Sequence, residues 1–428
     1  MKIAIAGYGV EGEANYRYWD TPDNELTIVD EAAALSCDLP VGAKLKLGEG
    51  SFSDLDGYDM VVRTASLAPS KINTNGKIWS ATNEFFAKCP APIIGVTGTK
   101  GKGTTSTLIA SLMRAAGRTV HLVGNIGVPA IEVLPQISRD DIVVFELSSF
   151  QLWDLEYSPH VAVVLLIEPD HLDIHSGMGD YLMAKRNIRK HQTANDICIY
   201  HPTNQVSYDL ANSSDVSVPI RYGVEQGNGV YVDGGYFKQG EQIICSTDEL
   251  KLIGPHNLEN ACAAITVALS QGVELSAIKE GLNSCEGLPH RLEFVREVEG
   301  VKYYNDSFSS APPATVAAVR SFDQPMVLIM GGVDRGTDFG YLRELLLESE
   351  NIKQVVLIGE TRHKLAVLFD GVATNVLDST DMKDIVKVAS SYVSEGDVVV
   401  LSPGCASFDM FANFYERGDK FREAVNNL

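Results

Sequence analysis

The residues Gly98-Thr99-Lys100-Gly101-Lys102-Gly103-Thr104-Thr105 have the make-up of a loop that holds phosphate. Glycines let backbone N–H groups converge on an anion, a following helix adds the partial positive charge of its N-terminus, and a lysine ammonium reaches the terminal phosphates. Lys102 is that lysine. The pattern G-x-x-x-x-G-K-[ST] is not met, because Gly103 stands where the magnesium-binding hydroxyl is expected, so Thr104 or Thr105 must take that role. For the bare loop the alternative is an ordinary glycine-rich turn. A second set of groups lies at the ends of apolar runs. Asp141–Phe145 runs into Glu146, which comes near the phosphate loop if the sheet is parallel and is a natural magnesium ligand. Val161–Ile167 empties into Glu168-Pro169-Asp170-His171-Leu172-Asp173. Alone, His171 reads as a strand-end histidine with a local hydrogen bond; beside Asp170 and Asp173, on the edge that carries Lys102, a metal or phosphate role gains ground. Lys185, among the apolar neighbours of 181–188, reads by default as a snorkelling lysine.

These groups need strands and helices to hold them. Ala91–Thr97 has strand character and Leu108–Met113 has helical apolar spacing, so the loop sits between a strand and a helix. Upstream, the alternating strand 2–6 enters Gly7-Tyr8-Gly9-Val10-Glu11-Gly12, and a second strand, Leu26–Asp30, ends in an acid. That is the dinucleotide fingerprint with Asp30 placed on a ribose, and it equally fits a Rossmann-like turn that holds another ligand or only packs helix on strand. Tyr58–Arg63 reads as a further parallel strand feeding the turn-rich loop 64–69. Residues 196–253 read as a β-rich appendage, and Pro255 to about Ser270 as a helix that Asn257 caps. A hairpin, 293–298 with 301–304, opens an alternation of strands (325–330, 355–358, 398–401) and helices (313–320, 339–349, 380–393, 408–424). The expected architecture is α/β in three domains: a Rossmann-like N-terminal domain (1–89), a central P-loop domain with a small β appendage (90–285), and a C-terminal Rossmann-like α/β domain (286–428).

At 428 residues the chain exceeds the size of one hydrophobic core. A net charge of −21 argues against a nucleic-acid or anionic-membrane partner. The chain opens directly on a strand, without a signal-peptide pattern, and no apolar run is long enough to span a bilayer. Seven scattered cysteines, none in a C-x-x-C pair, fit reduced cytoplasmic thiols.

The order of the loops resembles the Mur ligase family, the ATP-dependent amino-acid-adding enzymes of peptidoglycan synthesis. The matching pieces are Gly98–Thr105, Gly124-Asn125-Ile126-Gly127, Glu146-Leu147-Ser148-Ser149-Phe150-Gln151-Leu152, Asp170-His171-Leu172-Asp173, Ala184-Lys185, His256-Asn257 with Asn260, His290-Arg291, Asn305-Asp306-Ser307 and Leu401–Ser407. Within the family, Glu146–Leu152 and Ser402–Ser407 look most like the members that add D-glutamate to UDP-N-acetylmuramoyl-L-alanine. The resemblance implies ATP and Mg2+, with Gly98, Thr99, Lys100, Gly101, Gly103 and Thr105 in the loop and Lys102 on the β/γ-phosphates. It places Thr104 (or Thr105) and Glu146 on one magnesium, and His171 with a carbamylated Lys185 on a second. It places Asn260 on adenine, Arg291 on the ATP phosphates and Asp306 on ribose. Gly9 and Asp30 would serve the UDP moiety, Asn125 the muramoyl-alanine part, and Ser310, Arg335, Ser407 and Phe414 the D-glutamate. It further implies a cytoplasmic monomer acting on small molecules, with no nucleic-acid partner and no membrane insertion.

Two positions depart from the family pattern: Phe308 stands where a lysine is often found, and Arg335 replaces a lysine of the glutamate site. An arginine still grips a carboxylate bidentately. The competing readings are a sister ligase for another amino acid, a folate polyglutamate ligase with the same ATPase core, and an NAD-binding oxidoreductase or sensor.

Overall fold

A computed structural model describes residues 1–35, 37–124, 128–201, 203–214, 216 and 218–428. Asn125, expected at the muramoyl substrate, lies outside them. The chain divides into two compact units, residues 1–249 with 259–284, and residues 250–258 with 285–428.

The first unit holds two parallel sheets. One has the order β3-β2-β1-β4-β5, from β1 (Lys2–Ala6), β2 (Glu25–Asp30), β3 (Lys44–Leu47), β4 (Met60–Arg63) and β5 (Lys77–Ser80). The buried run Ile3, Ala4, Ile5 and Ala6 makes β1 the centre of that sheet. Its strand order reverses between β1 and β4, where an open α/β sheet leaves a crevice at the carboxyl ends. The edge strands β3 and β5 are not foreseen from sequence: Lys44-Leu45-Lys46-Leu47 alternates polar and apolar residues over only four positions and none of them is buried.

The other sheet has the order β11-β10-β9-β6-β8-β7, from β6 (Ile93–Thr97), β7 (Val120–Gly124), β8 (Ile142–Glu146), β9 (Val161–Val164), β10 (Ile197–Tyr200) and β11 (Ile220–Arg221). This corrects the appendage expected over 196–253. Cys198 and Ile199 are fully buried, so their strand belongs inside the sheet, and only β12 (Tyr231–Asp233), β13 (Tyr236–Gln239) and β14 (Gln242–Ser246) form a separate antiparallel sheet. Strand β9 is also shorter than the apolar run 161–167, because Leu166 turns its carbonyl to the Thr99 amide at 2.8 Å.

In the second unit, β15 (Glu293–Val298) pairs antiparallel with β16 (Val301–Asn305). Parallel strands β17 (Met326–Gly331), β18 (Ile352–Ile358), β19 (Thr374–Val376) and β20 (Val398–Leu401) complete the order β15-β16-β20-β17-β18-β19. The helix expected at 408–424 is instead Phe414–Asn426, because the Asn413 side chain accepts from the Glu416 amide at 2.9 Å and caps it there. Asn257 does not cap its helix. It lies inside Pro255–Ser270 and donates from Nδ2 to the Ile253 carbonyl at 2.7 Å. No helix among the described residues is long and apolar enough to cross a membrane.

Candidate active site

The phosphate loop leaves the centre of the second sheet. Strand β6 lies between β8 and β9, so its carboxyl end is flanked by Glu146, in register with Val96, and by the segment after Val164. The helix that follows spans Lys102–Ala115, starting six residues before the apolar spacing shows it. Gly101, at φ +83°, is the residue before that helix, and a Cβ there would stand 2.5 Å from Asn260 Oδ1. A side chain there would strain the backbone and displace the Asn260 amide. Asn260 thus packs against the loop itself, and Thr105 donates to its Oδ1 at 3.2 Å. Thr104 and Thr105 both lie in the helix's first turn and are buried, and the Thr105 oxygen keeps its lone pairs while its hydrogen goes to Asn260.

Two lysines converge on one carbonyl. Lys102 Nζ donates to Gly98 O at 3.1 Å and Thr99 O at 3.0 Å, while Lys185 Nζ donates to the same Gly98 O at 2.9 Å and to Thr97 Oγ1 at 3.3 Å. Lys185 is not the snorkelling lysine of the bare sequence. It is 1% exposed, with its ammonium 4.8 Å from the Tyr181 ring centre. Burial first and the Lys102 charge second push its pKa well down, against the pull of Asp170. Both effects favour the uncharged amine over the ammonium. Tyr181 completes this wall. Thr99 Oγ1 donates to Glu168 O at 2.9 Å, so the Tyr181 hydroxyl, 2.9 Å away, must donate to Thr99.

Glu146 is 4% exposed at the end of β8. The residues after it form a capping box: Ser148 Oγ accepts from the Gln151 amide at 3.2 Å and Gln151 Oε1 accepts from the Ser148 amide at 2.9 Å, which explains the S-S-F-Q spacing. His171 is half-exposed beyond β9, at φ +52°, with Nε2 3.5 Å from Asp170 Oδ2 and its ring 5.0 Å from Phe150. Buried His175, four residues on, bonds to Ser149 and Asp180 and carries no local sequence signal.

At the first sheet's crevice a pocket of about 400 Å³ is lined by Gly7, Tyr8, Gly9, Val10, Glu11, Asp30, Thr64 and Ser66 among others. Asp30 is partly engaged there, accepting from the Tyr8 amide at 2.8 Å and the Ala32 amide at 2.9 Å. Gly12 lets the helix Val10–Trp19 sit on this turn, since a Cβ would stand 2.3 Å from Gly7 O. A neighbouring pocket of about 310 Å³ shares Val10, Glu11 and Ser66 with the first and reaches Ser148, Phe150 and Gln151. Buried Arg63, at the end of β4, fixes that wall. It forms a two-pronged ion pair with Asp154 and donates to Phe150 O at 3.1 Å.

In the second unit Arg291 lies over the Phe308 ring at 4.5 Å, and Phe308 meets Phe414 edge-on at 5.1 Å. The lysine-to-phenylalanine departure thus supplies a platform for the arginine. With Arg291 on the ATP phosphates, as the family resemblance implies, replacing Phe308 with alanine is expected to raise the KM for ATP about 2–5-fold, the worth of an exposed cation–π contact, with Phe308→Tyr unchanged. Steady-state kinetics of the two variants would check it. Arg335 is exposed, 5.5 Å from the Phe408 ring. Ser407 is buried and accepts through its carbonyl from the Met410 and Phe411 amides, and Ser310 Oγ donates to Phe308 O at 3.3 Å.

Asp306 is taken up inside the unit. Its Oδ1 accepts from the Leu292 amide at 3.2 Å, and its Oδ2 from Ser309 at 2.5 Å and Ser402 at 2.7 Å. At 3% exposure, burial raises its pKa to about 6, against the lowering by those hydroxyl bonds. Arg417, which sequence reasoning missed, is buried behind it and donates to Ser307 Oγ, Ser307 O and Cys405 O at 3.0, 2.8 and 3.1 Å. It joins the Asn305–Ser307 turn to the loop after β20. Because Asp306 binds its proton more tightly folded than unfolded, its contribution to stability is full below about pH 4 and is lost as pH rises through about 6. The loss is about 3 kcal/mol for a shift of about two units. Urea unfolding of wild type and Asp306→Asn, at about pH 4 and about pH 7, should show this slope in wild type alone.

A glycine loop under a parallel sheet, with one lysine in the loop and a second buried beside it, defines a protein built to bind nucleotide phosphates. Two family profiles match the chain: the Mur ligase middle domain over residues 96–268, and the Mur ligase, glutamate ligase domain over 290–405. A UDP-N-acetylmuramoylalanine-D-glutamate ligase of Clostridium tetani is 37% identical, covering 100% of this chain and 97% of its own length. The one from Clostridium perfringens is 35% identical, with 100% and 96% covered. The chain belongs to the Mur ligase family. Among solved structures, the UDP-N-acetylmuramate-alanine ligase of Thermotoga maritima superimposes with a TM-score of 0.63 at 17% identity, covering 100% and 99% of the two chains. The MurF ligase of the same organism, in complex with ADP, does so with 0.60 at 18%, covering 99% and 94%. These two likenesses concern the fold.

Proposed function

We propose that this chain is the ligase that adds D-glutamate to UDP-N-acetylmuramoyl-L-alanine, in cytoplasmic peptidoglycan precursor synthesis and as a monomer. The observation that carries this reading is the extent of the likeness. D-glutamate ligases 35–37% identical to this chain match it over its whole length, so the likeness is not confined to the phosphate-loop region. Three domains, 1–89, 90–285 and 286–428, would divide the work, each around one of the three large sheets.

A carboxylate does not acylate an amine at neutral pH. In this reading a substrate carboxylate oxygen attacks the γ-phosphorus of ATP, the bond to the ADP oxygen breaks, and an acyl phosphate forms. Lys102 leaves Gly98 O and Thr99 O for the β/γ-phosphates and spreads the developing charge, with Arg291 assisting. The amine of D-glutamate then attacks the acyl carbon, losing a proton as phosphate departs and the amide forms. Thr104 and Glu146 offer hard oxygen donors of the kind Mg2+ takes beside phosphates. Bound there, Mg2+ would neutralise phosphate charge. His171 with a carbamylated Lys185 would serve a second ion, and the lowered Lys185 pKa supports this, because only a neutral amine adds to CO2.

The pocket around Gly9 and Asp30 is assigned to the UDP moiety and Asn125 to the muramoyl-alanine part. Asn260, from its place against the loop, and Asp306 are assigned to the nucleoside. Ser310, Arg335, Ser407 and Phe414 are assigned to D-glutamate. The test is phosphate release from ATP with UDP-N-acetylmuramoyl-L-alanine, comparing D-glutamate, L-glutamate, L-lysine and no amino acid. Release that depends on D-glutamate is expected. Dependence on another amino acid would move the assignment to a sister ligase, and none at all would remove the first substrate.

A further inference from the structure

We propose that His175 is a positioning residue, whose imidazole ties together the three segments that carry Glu146, His171 and Lys185 and sets them for nucleotide binding. This rests on the ATP-dependent ligase reading above. His175 is 3% exposed, with Nδ1 3.0 Å from Asp180 Oδ2 and Nε2 2.9 Å from Ser149 Oγ. Asp180 also accepts from Trp153 Nε1 at 3.1 Å and from the Ser176 amide at 3.2 Å. An ionised carboxylate only accepts, so Nδ1 carries the hydrogen and Nε2 faces the Ser149 hydroxyl. The ring has no freedom to turn. It stacks on Phe150 at 5.3 Å and 11°, meets Trp153 at 4.4 Å and takes Tyr181 edge-on at 5.3 Å.

Each contact leads to a different part of the proposed site. Ser149 lies three residues beyond Glu146, at the start of the capped turn Ser149–Leu152. The His175 amide donates to His171 O at 2.9 Å, which closes the loop after β9 on itself. Asp180 and Tyr181 form the first turn of the helix Met178–Lys190, and Lys185 follows one turn later on the face of Tyr181. Tyr181 in turn reaches Thr99 of the phosphate loop. A carboxylate that fixes an imidazole, which fixes a third group, is also the order of a nucleophilic triad. Here Ser149 is 3% exposed in a helix's first turn, so no acyl group reaches its oxygen and the chain of bonds serves orientation.

The test uses the full-length protein and the variants His175→Ala, His175→Gln and Ser149→Ala. Calorimetry measures affinity for ADP with magnesium and for UDP-N-acetylmuramoyl-L-alanine, and kinetics gives kcat and KM for ATP. Loss of a group that orients ligating side chains costs about 10–100-fold in affinity or activity. Folded His175→Ala is expected to lose that much affinity for magnesium-ADP, to keep its affinity for the UDP substrate, and to regain part of the loss with added imidazole. Ser149→Ala should move the same constants by less. A merely structural role would lower the melting temperature and the active fraction while leaving the KM for ATP and the magnesium dependence as in wild type, and that result overturns the proposal. If His175→Ala does not fold, the other two variants decide by the same criteria. Wild type that binds magnesium-ADP but turns over no D-glutamate would remove the ligase reading alone, since the affinity comparison still stands.

Discussion

Replacing Lys102 with alanine is expected to lower D-glutamate-dependent ADP release by about 10²–10³-fold, the cost of removing one donor aimed at developing charge. Lys102 opens the helix Lys102–Ala115, and its ammonium rests on Gly98 O and Thr99 O. Those two carbonyls belong to the loop itself, so a phosphate seated there lies within the ammonium's reach. The helix N-terminus and the loop amides remain in the variant, which keeps weak nucleotide binding while the charge on the transferred phosphoryl goes unmatched. Affinity for UDP-N-acetylmuramoyl-L-alanine should hold, because the pocket around Gly7, Gly9 and Asp30 contains no residue of the phosphate loop. A coupled assay for ADP, with substrate affinity measured separately, checks both halves. Activity within tenfold of wild type would take Lys102 out of the mechanism.

Lys185→Ala is expected to lose activity to a similar extent, about 10²-fold or more, and to recover part of it in excess acetate or bicarbonate. An ammonium in this place would repel a cation. Burial and the Lys102 charge favour the neutral amine, which can take up CO2 and become an oxygen ligand of opposite charge. Removing the side chain leaves a buried space beside Thr97, Gly98 and Tyr181 that a small carboxylate can enter. The wild-type enzyme should lose activity in CO2-free buffer and regain it with bicarbonate. The loss should deepen on acidification, since protonating the amine drains the form that reacts. Full activity in Lys185→Ala, or no effect of CO2, would remove the carbamate.

Much of this site is legible in the order of residues alone. The glycine loop, the strand ending in Glu146 and the Asp170–Asp173 loop are local patterns, and a parallel sheet brings successive strand ends to one edge whatever packs around them. Arg63, His175 and Arg417 are not legible in that way. Each is a polar residue whose importance comes from partners distant in the chain, such as Asp154 for Arg63 and Ser307 with Cys405 for Arg417. The strand at 197–200 escapes assignment to its sheet because a short apolar run does not say which neighbours it joins.

By itself the sequence determined the α/β class, the phosphate loop and the family, because glycine spacing and apolar periodicity act over a few residues at a time. Only the tertiary structure decided that Lys185 is buried, that Thr105 is engaged by Asn260, and that Phe308 carries Arg291. The state of a lysine or a threonine depends on which groups from distant segments displace water around it, and that is settled by packing.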